Sequence, residues 1–364
     1  MEPAKGALSN GIAEARPRIL IVRLSAMGDV IHALPAVAAL RCAFPNAFLG
    51  WVIEQRWVEL LCALSEPRSG PRSPRRPLVD RVHVVNTKLW RRRLLSREIW
   101  TEVMASIRDL RQPGYDVAID FQGAFRSAVV ARWSGAPTVY GFVEPCENVA
   151  SLFYTRQINA VGTHVIEQNT SLACALAGQT LAVQNAKFPC DENGERAIKR
   201  LLDDKGLNQF AILNPGAGWG AKRWPVGRYG AVAKRLAQVK ELRSIVNFGP
   251  GEESLARAVE DACDAAAVTV SVSVTELIML TRRASLFIGG DTGPMHLAAA
   301  LGVPVVGIFG PTSPERNGPF KTRSIVLRSQ LSPTTHARIQ TPDEGMLTIM
   351  PEDVVAASLQ LLGE

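Results

Sequence analysis

Short apolar runs recur along the whole chain, and each is followed by a stretch with helical spacing of its apolar residues. Runs such as residues 18–23 (RILIVR) and 303–310 (VPVVGIFG) are apolar on both faces through their centres. Strands of this kind, separated by helices, are typical of parallel sheets with helices packed on both sides, so we expect an α/β fold. The predicted strands are residues 18–23, 48–53, 82–85, 116–120, 210–214, 244–249, 268–272, 286–290 and 303–310, and the predicted helices include residues 29–42, 97–111, 164–177, 226–239 and 252–264.

The order strand, glycine-containing loop, helix occurs at the start of two rounds, in residues 18–40 and again in residues 210–236. This repetition predicts two Rossmann-like domains whose parallel sheets face a central cleft, with ligands bound beyond the carboxyl ends of the strands. The predicted organisation is a mobile tail over residues 1–16, an N-terminal domain over 17–178, a linker over 179–192, a C-terminal domain over 193–345 and a closing helix over 346–364.

The positive charge of the chain is concentrated in one segment. Residues 66–97 carry a local charge of +8, whereas the whole chain carries +7. Such a segment is either a solvated loop or an anion-binding surface. Its first part, residues 66–77 (EPRSGPRSPRRP), is rich in Pro, Arg and Ser, and its composition predicts a disordered insertion.

Composition also excludes some classes of protein. The six cysteines and five histidines are dispersed without a CxxC pair, so we expect no metal site and no cofactor. No apolar run reaches the roughly 18–20 residues that span a bilayer, and no apolar signal segment opens the chain, so we expect a cytoplasmic protein. The basic segment is confined to one place and no nucleic-acid motif is present, so nucleic acid is not an expected partner.

The first strand is followed by the segment RLSAMGDVIHALP, which contains a candidate catalytic carboxylate. Gly28 permits a tight turn, and Asp29 then falls in the first turn of a helix. A carboxylate there is either a helix cap, favoured by the dipole, or a general base aimed at an acceptor hydroxyl. The residues alone leave both interpretations open.

The loop NPGAGWGAKRWP, residues 214–225, is a candidate anion site. Gly216 and Gly218 allow backbone N–H groups to approach a diphosphate, and Lys222 supplies a positive charge. The loop matches neither the P-loop pattern nor the GxGxxG pattern. The alternative is a glycine-rich turn that carries an exposed lysine.

Two further loops follow predicted strands in the second half. In GGDTGPMH, Thr292 and the helix N-terminus that begins near Gly293 could hold phosphate, while Asp291 would have to face a sugar hydroxyl or cap a helix. His296 lies on the same helix turn and is either a packing residue or a catalyst. In NFGPGEES, Glu252 is either a contact to a ribose or base, or an acid that starts a helix.

A cluster of cations surrounds Trp90 in the sequence KLWRRRLLSREIW. Such a run is either a solvated face or a grip on carboxylates and phosphates. Its candidate anion-binding residues are Lys88, Arg91, Arg92 and Arg93.

The chain from about residue 18 to 362 resembles the bacterial ADP-heptose:lipopolysaccharide heptosyltransferases, glycosyltransferase family 9. Within the family, residues 79–85 (VDRVHVV), 89–100 (LWRRRLLSREIW) and 150–158 (ASLFYTRQI) are similar to heptosyltransferase I, and heptosyltransferase II is the close alternative. The motifs that carry the resemblance are ILIVRLSAMGDVIHALPAVAALR (19–41), AIDFQGAFRSAVVA (118–131), NPGAGWGAKRWP (214–225) and the block GGDTGPMHLAAALGVPVVGIFGPTSPERNGPF (289–320).

The resemblance implies a GT-B fold and an inverting, metal-independent transfer of heptose from ADP-heptose to the Kdo sugars of a lipid A acceptor. It implies a monomer in peripheral contact with the inner membrane. By this resemblance, Asp29 is the catalytic base, Lys222 holds the donor diphosphate and Glu252 contacts the donor nucleoside. Asp291, Thr292 and Gly293 form the donor-binding block, with His296 nearby. The basic residues 88–93 contact the acceptor.

Three features depart from the resemblance: the 66–77 insertion, Ala217-Gly218-Trp219 where some heptosyltransferase I members have threonines and an arginine, and the absence of the cysteines that typical members often carry before the last helix. They leave open a transferase that uses another nucleotide sugar or acceptor. A Rossmann oxidoreductase would need GxGxxG near the first strand, and a non-catalytic glycan-binding protein would be expected to lack Asp29 or Lys222.

Overall fold

Each half of the chain contains a six-stranded sheet in which every strand is parallel to its neighbours. The computed structural model describes residues 16–92, 96–335 and 339–363, with the side chains of residues 88, 91 and 92 excepted. The chain divides into two compact units, Met1–Asp191 and Glu192–Glu364. Residues 179–191 of the predicted linker therefore fall within the first unit, and most of the predicted tail lies outside the described residues.

The first unit has the strand order β3-β2-β1-β4-β5-β6. Its strands are β1 (Arg18–Val22), β2 (Phe48–Glu54), β3 (Arg81–Val85), β4 (Val117–Asp120), β5 (Thr138–Phe142) and β6 (Arg156–Ile158). Its helices are α1 (Met27–Ala43), α2 (Thr87–Arg92), α3 (Arg97–Arg111), α4 (Phe125–Trp133) and α5 (Val165–Ala177), with short 3-10 helices at Gln55–Leu60 and Asn148–Phe153.

The second unit has the strand order β12-β11-β10-β7-β8-β9. Its strands are β7 (Phe210–Asn214), β8 (Arg243–Asn247), β9 (Ala267–Val270), β10 (Leu286–Gly290), β11 (Val305–Phe309) and β12 (Ser324–Arg328). Its helices are α6 (Glu192–Lys205), α7 (Val226–Lys240), α8 (Glu253–Asp261), α9 (Val274–Arg283), α10 (Gly293–Ala300), α11 (Pro314–Asn317), α12 (Glu344–Thr348) and α13 (Pro351–Leu362), with a 3-10 turn at Gly220–Lys222.

Both units repeat the same Rossmann strand order, and this order fixes where their functional loops emerge. The first strand of each unit pairs with the fourth, so the direction of winding reverses between β1 and β4 and between β7 and β10. Val22 at the end of β1 lies opposite Asp120 at the end of β4, and Asn214 at the end of β7 lies opposite Gly289. Ligands of open α/β sheets bind beyond the strand ends at such a reversal.

The central strands are buried on both faces, as their composition predicts. All five residues of β7, β10 and β11 are buried, and so are the last four of β1. Each fully buried Ile, Leu or Phe side chain contributes about 1.5–3 kcal/mol relative to exposure. Strands β5, β6 and β12 were missed by the sequence prediction because β6 and β12 are edge strands without fully buried residues, and β5 lies next to an edge.

The structure corrects the prediction that residues 66–77 form a disordered insertion. They fold into a loop around Arg76, which is 1% exposed. The prediction was wrong because a compositional rule counts arginine as exposed to solvent. Here the guanidinium of Arg76 lies inside the loop and donates hydrogen bonds to its backbone. The carbonyl oxygens that accept from it belong to Pro67, Gly70, Pro71 and Val79.

The chain closes with helix α13, within the range predicted for a closing helix. Pro351 occupies the first helical position, where a missing N–H costs nothing. The carboxylate of Asp353 accepts a hydrogen bond from the Met350 N–H at 2.9 Å, and Gly363 ends the helix in a left-handed conformation. Among the described residues, no helix is long and apolar enough to cross a membrane.

Candidate active site

In the first unit, the loop after β1 is tied to the loop after β4. Arg23 donates from Nη1 to the carbonyl oxygen of Phe121. The side-chain oxygen of Gln122 accepts from the backbone N–H groups of Leu24, at 2.9 Å, and Ser25, at 3.4 Å. These bonds fix the loop that leads into helix α1.

Asp29 lies in the first turn of α1, as predicted, and it uses both carboxylate oxygens. Oδ2 accepts from the backbone N–H of Ala26 at 3.0 Å, so the residue caps the helix. Oδ1 forms an ion pair with Nη2 of Arg23 at 2.7 Å. The Asp29 side chain is still 47% exposed, and a carboxylate has about four acceptor positions, so it can accept a further hydroxyl proton. Capping and base catalysis are therefore compatible at this residue.

A buried carboxylate supports the loop after β4. Asp120 accepts hydrogen bonds from the Gln122 N–H, the Gly123 N–H, the Ser127 hydroxyl and the Tyr154 hydroxyl. Burial raises the pKa of Asp120 above its usual range, and the hydrogen bonds from Gln122, Ser127 and Tyr154 oppose that rise. The network holds Gln122 in place to fix the neighbouring loop.

In the second unit, Lys222 and Asp291 form a partly buried ion pair. Nζ of Lys222 lies 2.6 Å from Oδ2 of Asp291 and 5.2 Å from the centre of the Trp219 ring. Nε2 of His296 lies 3.0 Å from the other carboxylate oxygen. Burial alone would raise the pKa of Asp291, but the hydrogen bonds and charges of His296 and Lys222 outweigh it and hold that pKa well below its usual range. Asp291 is therefore ionised at neutral pH, and it orients the ammonium group.

The strand ends beside this ion pair carry a set of amide side chains. Nδ2 of Asn247 donates to Oδ1 of Asn214 at 3.1 Å. Nδ2 of Asn214 donates to the Gly216 carbonyl oxygen at 3.1 Å and lies 3.5 Å from the Thr292 hydroxyl. The loop after β7 is thereby joined to the start of helix α10.

Helix α10 presents its N-terminus at this edge, with Thr292 as the N-cap. The first N–H groups of a helix have no intrahelical acceptor and attract anions. Pro294 supplies no N–H, so Gly293 and Met295 are the first-turn residues that retain a donor. Residue 294 therefore adds no amide donor to an anion site at this helix N-terminus.

The glycines of residues 216–220 have different structural roles. A Cβ at Gly216 would overlap the carboxylate of Glu252, which also accepts from the Gly249 N–H at 3.0 Å. A Cβ at Gly220 would overlap the carbonyl oxygen of Gln340. At Gly218, a Cβ would meet no atom within 4 Å, so packing does not require glycine at this position.

The predicted acceptor-binding residues Lys88, Arg91, Arg92 and Arg93 have side chains outside the described residues. The remaining predicted residues form two groups: Asp29 in the first unit, and Lys222, Gly216, Gly218, Glu252, Asp291, Thr292, Gly293 and His296 in the second.

Sequence reasoning missed several polar residues at the strand ends. Arg23, Gln122 and Asn214 each follow or end a predicted strand, and this position is the signal that could have identified them. Arg126, in the first turn of α4, donates from Nη2 to the Ser25 hydroxyl at 2.7 Å.

Comparison with known proteins decides the family. The family model described as Glycosyltransferase family 9 (heptosyltransferase) matches residues 103–347, which is more than half of the chain. The chain belongs to glycosyltransferase family 9. The family resemblance found in the sequence is therefore confirmed, and the chain is a glycosyltransferase.

Named relatives match this transferase over most of its length. It is 30% identical to lipopolysaccharide heptosyltransferase 1 of Pseudomonas aeruginosa over 86% of this chain and 84% of the relative. It is 26% identical to lipopolysaccharide heptosyltransferase 3 of Escherichia coli K12 over 93% and 96% of the two chains. The solved E. coli heptosyltransferase WaaC with ADP has a TM-score of 0.76 at 24% identity, over 94% of this chain and 99% of WaaC. The predicted GT-B class with two Rossmann-like domains is confirmed, whereas the facing of the two sheets across a cleft stays a prediction.

Proposed function

We propose that this transferase moves L-glycero-D-manno-heptose from ADP-heptose to the Kdo inner core of a lipid A acceptor. Relatives named lipopolysaccharide heptosyltransferase 1 and 3 support the reaction class. The solved WaaC structures with ADP and with ADP-2-deoxy-2-fluoro heptose support the donor. Among the acceptors, we favour the one used by heptosyltransferase I, and a heptosyltransferase II-like acceptor or another nucleotide sugar is the alternative.

On the acceptor side, Asp29 acts as the general base. Its partly exposed carboxylate takes the proton of the acceptor hydroxyl as that oxygen forms a bond to the anomeric carbon of the heptose. The bond from this carbon to the diphosphate oxygen breaks on the opposite face, so the configuration inverts and ADP leaves. Arg23 keeps the carboxylate oriented throughout.

On the donor side, the observation that carries the proposal is the Lys222 ammonium held beside the N-terminus of α10 by Asp291. Negative charge develops on the diphosphate as it leaves, and preorganised donors stabilise it there without reorganisation. Lys222, the Thr292 hydroxyl and the N–H groups of Gly293 and Met295 supply these donors. The reaction then needs no metal ion or other cofactor.

The other predicted residues complete this assignment. Glu252 contacts the nucleoside, Gly216 and Gly218 let the backbone approach the donor, and His296 fixes Asp291. The basic residues 88–93 meet the carboxylates and phosphates of the acceptor, through which a cytoplasmic monomer makes peripheral contact with the inner membrane.

A transfer assay tests the proposal directly. The purified enzyme is incubated with ADP-heptose and a Kdo–lipid A acceptor, and the product is detected by mass spectrometry. We expect a product heavier by one heptose, and none with UDP- or GDP-sugars. Turnover of another nucleotide sugar in preference to ADP-heptose would overturn the donor assignment.

Variants of the ion pair test the role of Lys222. Lys222→Met leaves Asp291 as a buried carboxylate without its lysine, so lost folding stability could be mistaken for lost binding. The double variant Lys222→Met/Asp291→Asn removes both charges together. We expect the double variant to regain the stability that the single variant loses while its affinity for ADP stays at least 10-fold below wild type, measured by calorimetry. Wild-type affinity for ADP in the double variant would exclude Lys222 from the donor site.

A further inference from the structure

Arg126 lies at the point of the first sheet where the winding reverses, and it connects three loops. It sits in the first turn of α4, directly after the loop that follows β4. Its Nη2 donates to the Ser25 hydroxyl, in the loop after β1, at 2.7 Å. Its Nη1 lies 3.4 Å from the hydroxyl of Thr87, which opens helix α2 after β3. The guanidinium therefore lies at the strand edge where a Rossmann sheet binds its ligand.

The positive charge of Arg126 is only weakly compensated. The carboxylate paired with it is Glu54, whose Oε1 lies 4.0 Å from Nη1, at the outer limit of an ion pair. Glu54 is buried, and the same oxygen already accepts from the Thr87 hydroxyl. In contrast, the Arg23 guanidinium lies 2.7 Å from the Asp29 carboxylate.

The guanidinium also keeps hydrogen-bonding capacity for a ligand. Arginine has five N–H donors in a planar fork, and the two hydroxyl contacts use two of them. The Arg126 side chain is 37% exposed, so solvent or a ligand reaches it. A planar fork of this kind suits the two oxygens of a carboxylate or phosphate.

We propose that Arg126 binds an oxyanion of the acceptor, a sugar carboxylate or phosphate, beside the Ser25 loop. Ser25 lies four residues before Asp29, in the loop that leads into helix α1, so the bound anion would hold the acceptor close to the base. Thr87 begins helix α2, whose sequence contains most of the basic run, so Arg126 contacts the first residue of that helix. The inference rests on the proposed function, because the proposed function places the acceptor in the first unit.

A purely structural role for Arg126, bracing the three loops, makes a different prediction. A brace would lower stability and affect donor and acceptor kinetics together when removed. If Arg126 instead binds an oxyanion of the acceptor, its removal raises the KM for the acceptor and leaves the KM for the donor unchanged. Lysine provides the charge without the fork, so Arg126→Lys separates charge from bidentate binding.

Kinetics with ADP-heptose and the Kdo–lipid A acceptor are compared in wild type, Arg126→Ala and Arg126→Lys. Arg132→Ala is the matched control, because Arg132 is an exposed arginine in the last turn of the same helix. We expect Arg126→Ala to raise the acceptor KM at least 10-fold with the donor KM within twofold, Arg126→Lys to recover part of the loss, and the control to behave as wild type. An unchanged acceptor KM, or an equal rise in both KM values with a lower melting temperature, would overturn the inference.

Direct binding separates this inference from the proposed reaction. Free Kdo, which has a carboxylate and no phosphate, and glucosamine 1-phosphate, which has the reverse, are titrated into wild type and Arg126→Ala by NMR. Weaker binding of Kdo to the variant assigns a carboxylate, and weaker binding of the phosphate sugar assigns a phosphate. Equal binding of both probes to both proteins contradicts the inference. These outcomes hold even if the enzyme turns over no ADP-heptose, a result that would refute the proposed function alone.

Discussion

Replacing Asp29 with asparagine separates its role as a base from its role as a helix cap. Asparagine keeps an acceptor for the Ala26 N–H but loses the negative charge that faces Arg23. Loss of a general base reduces rates by about 10²–10⁴-fold, which corresponds to roughly 3–5 kcal/mol in the activation barrier. Because the donor contacts are on other residues, we expect the kcat of Asp29→Asn to fall by that factor while ADP binds as tightly as to wild type.

The stability of the same variant should change far less. The ion pair with Arg23 is nearly half exposed on its Asp29 side, so its loss costs about 1 kcal/mol, while asparagine retains the acceptor for the Ala26 N–H. A loss of about 1 kcal/mol lowers the melting temperature by roughly 2–4 °C for a domain of this size. Steady-state kinetics at a temperature well below unfolding therefore measure the chemical effect alone.

Helix α13 supplies the matched control for this experiment. Asp353 occupies the same helical position as Asp29, and its carboxylate accepts from the backbone N–H of the N-cap residue in the same way. Asp353→Asn should lower the melting temperature by a few degrees and leave kcat unchanged. If Asp29→Asn retains more than about a tenth of the wild-type kcat, Asp29 is a cap and the proposed mechanism fails.

Three further perturbations probe stability. Gly220→Ala places a Cβ against the carbonyl oxygen of Gln340, so we expect the free energy of unfolding to fall by about 1–3 kcal/mol. The control Gly227→Ala, whose Cβ meets no atom within 4 Å, should be nearly neutral. Equal melting temperatures of the two variants would contradict the packing at Gly220. Arg76→Met leaves the carbonyl groups of its loop without their donor, so we expect trypsin to cut residues 66–77 faster than in wild type, and unchanged cleavage would mean that the loop holds without it. Burial lowers the pKa of His83, and the Asp109 carboxylate opposes this effect. As the pH decreases below about 6.5, the unfolded chain therefore binds a proton at His83 before the folded chain does, and the folded state loses stability. The melting temperature of His83→Gln should therefore fall less than that of wild type between pH 7 and 5, and parallel curves would refute the assignment.

The core of the fold could be predicted from the sequence because its signals are local. The range predicted for helix α3, residues 97–111, is the range that the structure has, and so is the range predicted for strand β7, residues 210–214. Edge strands such as β6 have three residues with little burial, so their sequences carry almost no apolar signal. The loop at 66–77 was mispredicted because its stabilising group is a charged side chain that composition counts as solvated.

The candidate site was predicted as a set of residues, but its pairings were not. Lys222 and Asp291 are separated by 69 positions, and Arg126 and Ser25 by 101, so only the strand order brings them together. Glycine patterns indicated close approach of the backbone, yet the chain alone does not say that Gly216 lies against Glu252. Sequence motifs therefore supplied the chemistry of each group, and the sheet topology supplied its neighbours.

The way in which Arg76 holds its loop has a consequence for variation and for engineering. Every residue has a main-chain carbonyl oxygen, whatever its side chain. A guanidinium that donates hydrogen bonds to these oxygens therefore constrains the backbone path of the segment and not its amino-acid sequence. Exposed positions such as Arg68 and Ser69 are thus free to diverge between strains, or to accept a fluorophore or an affinity tag, while the backbone trace persists. At the anchoring arginine, such tolerance should end.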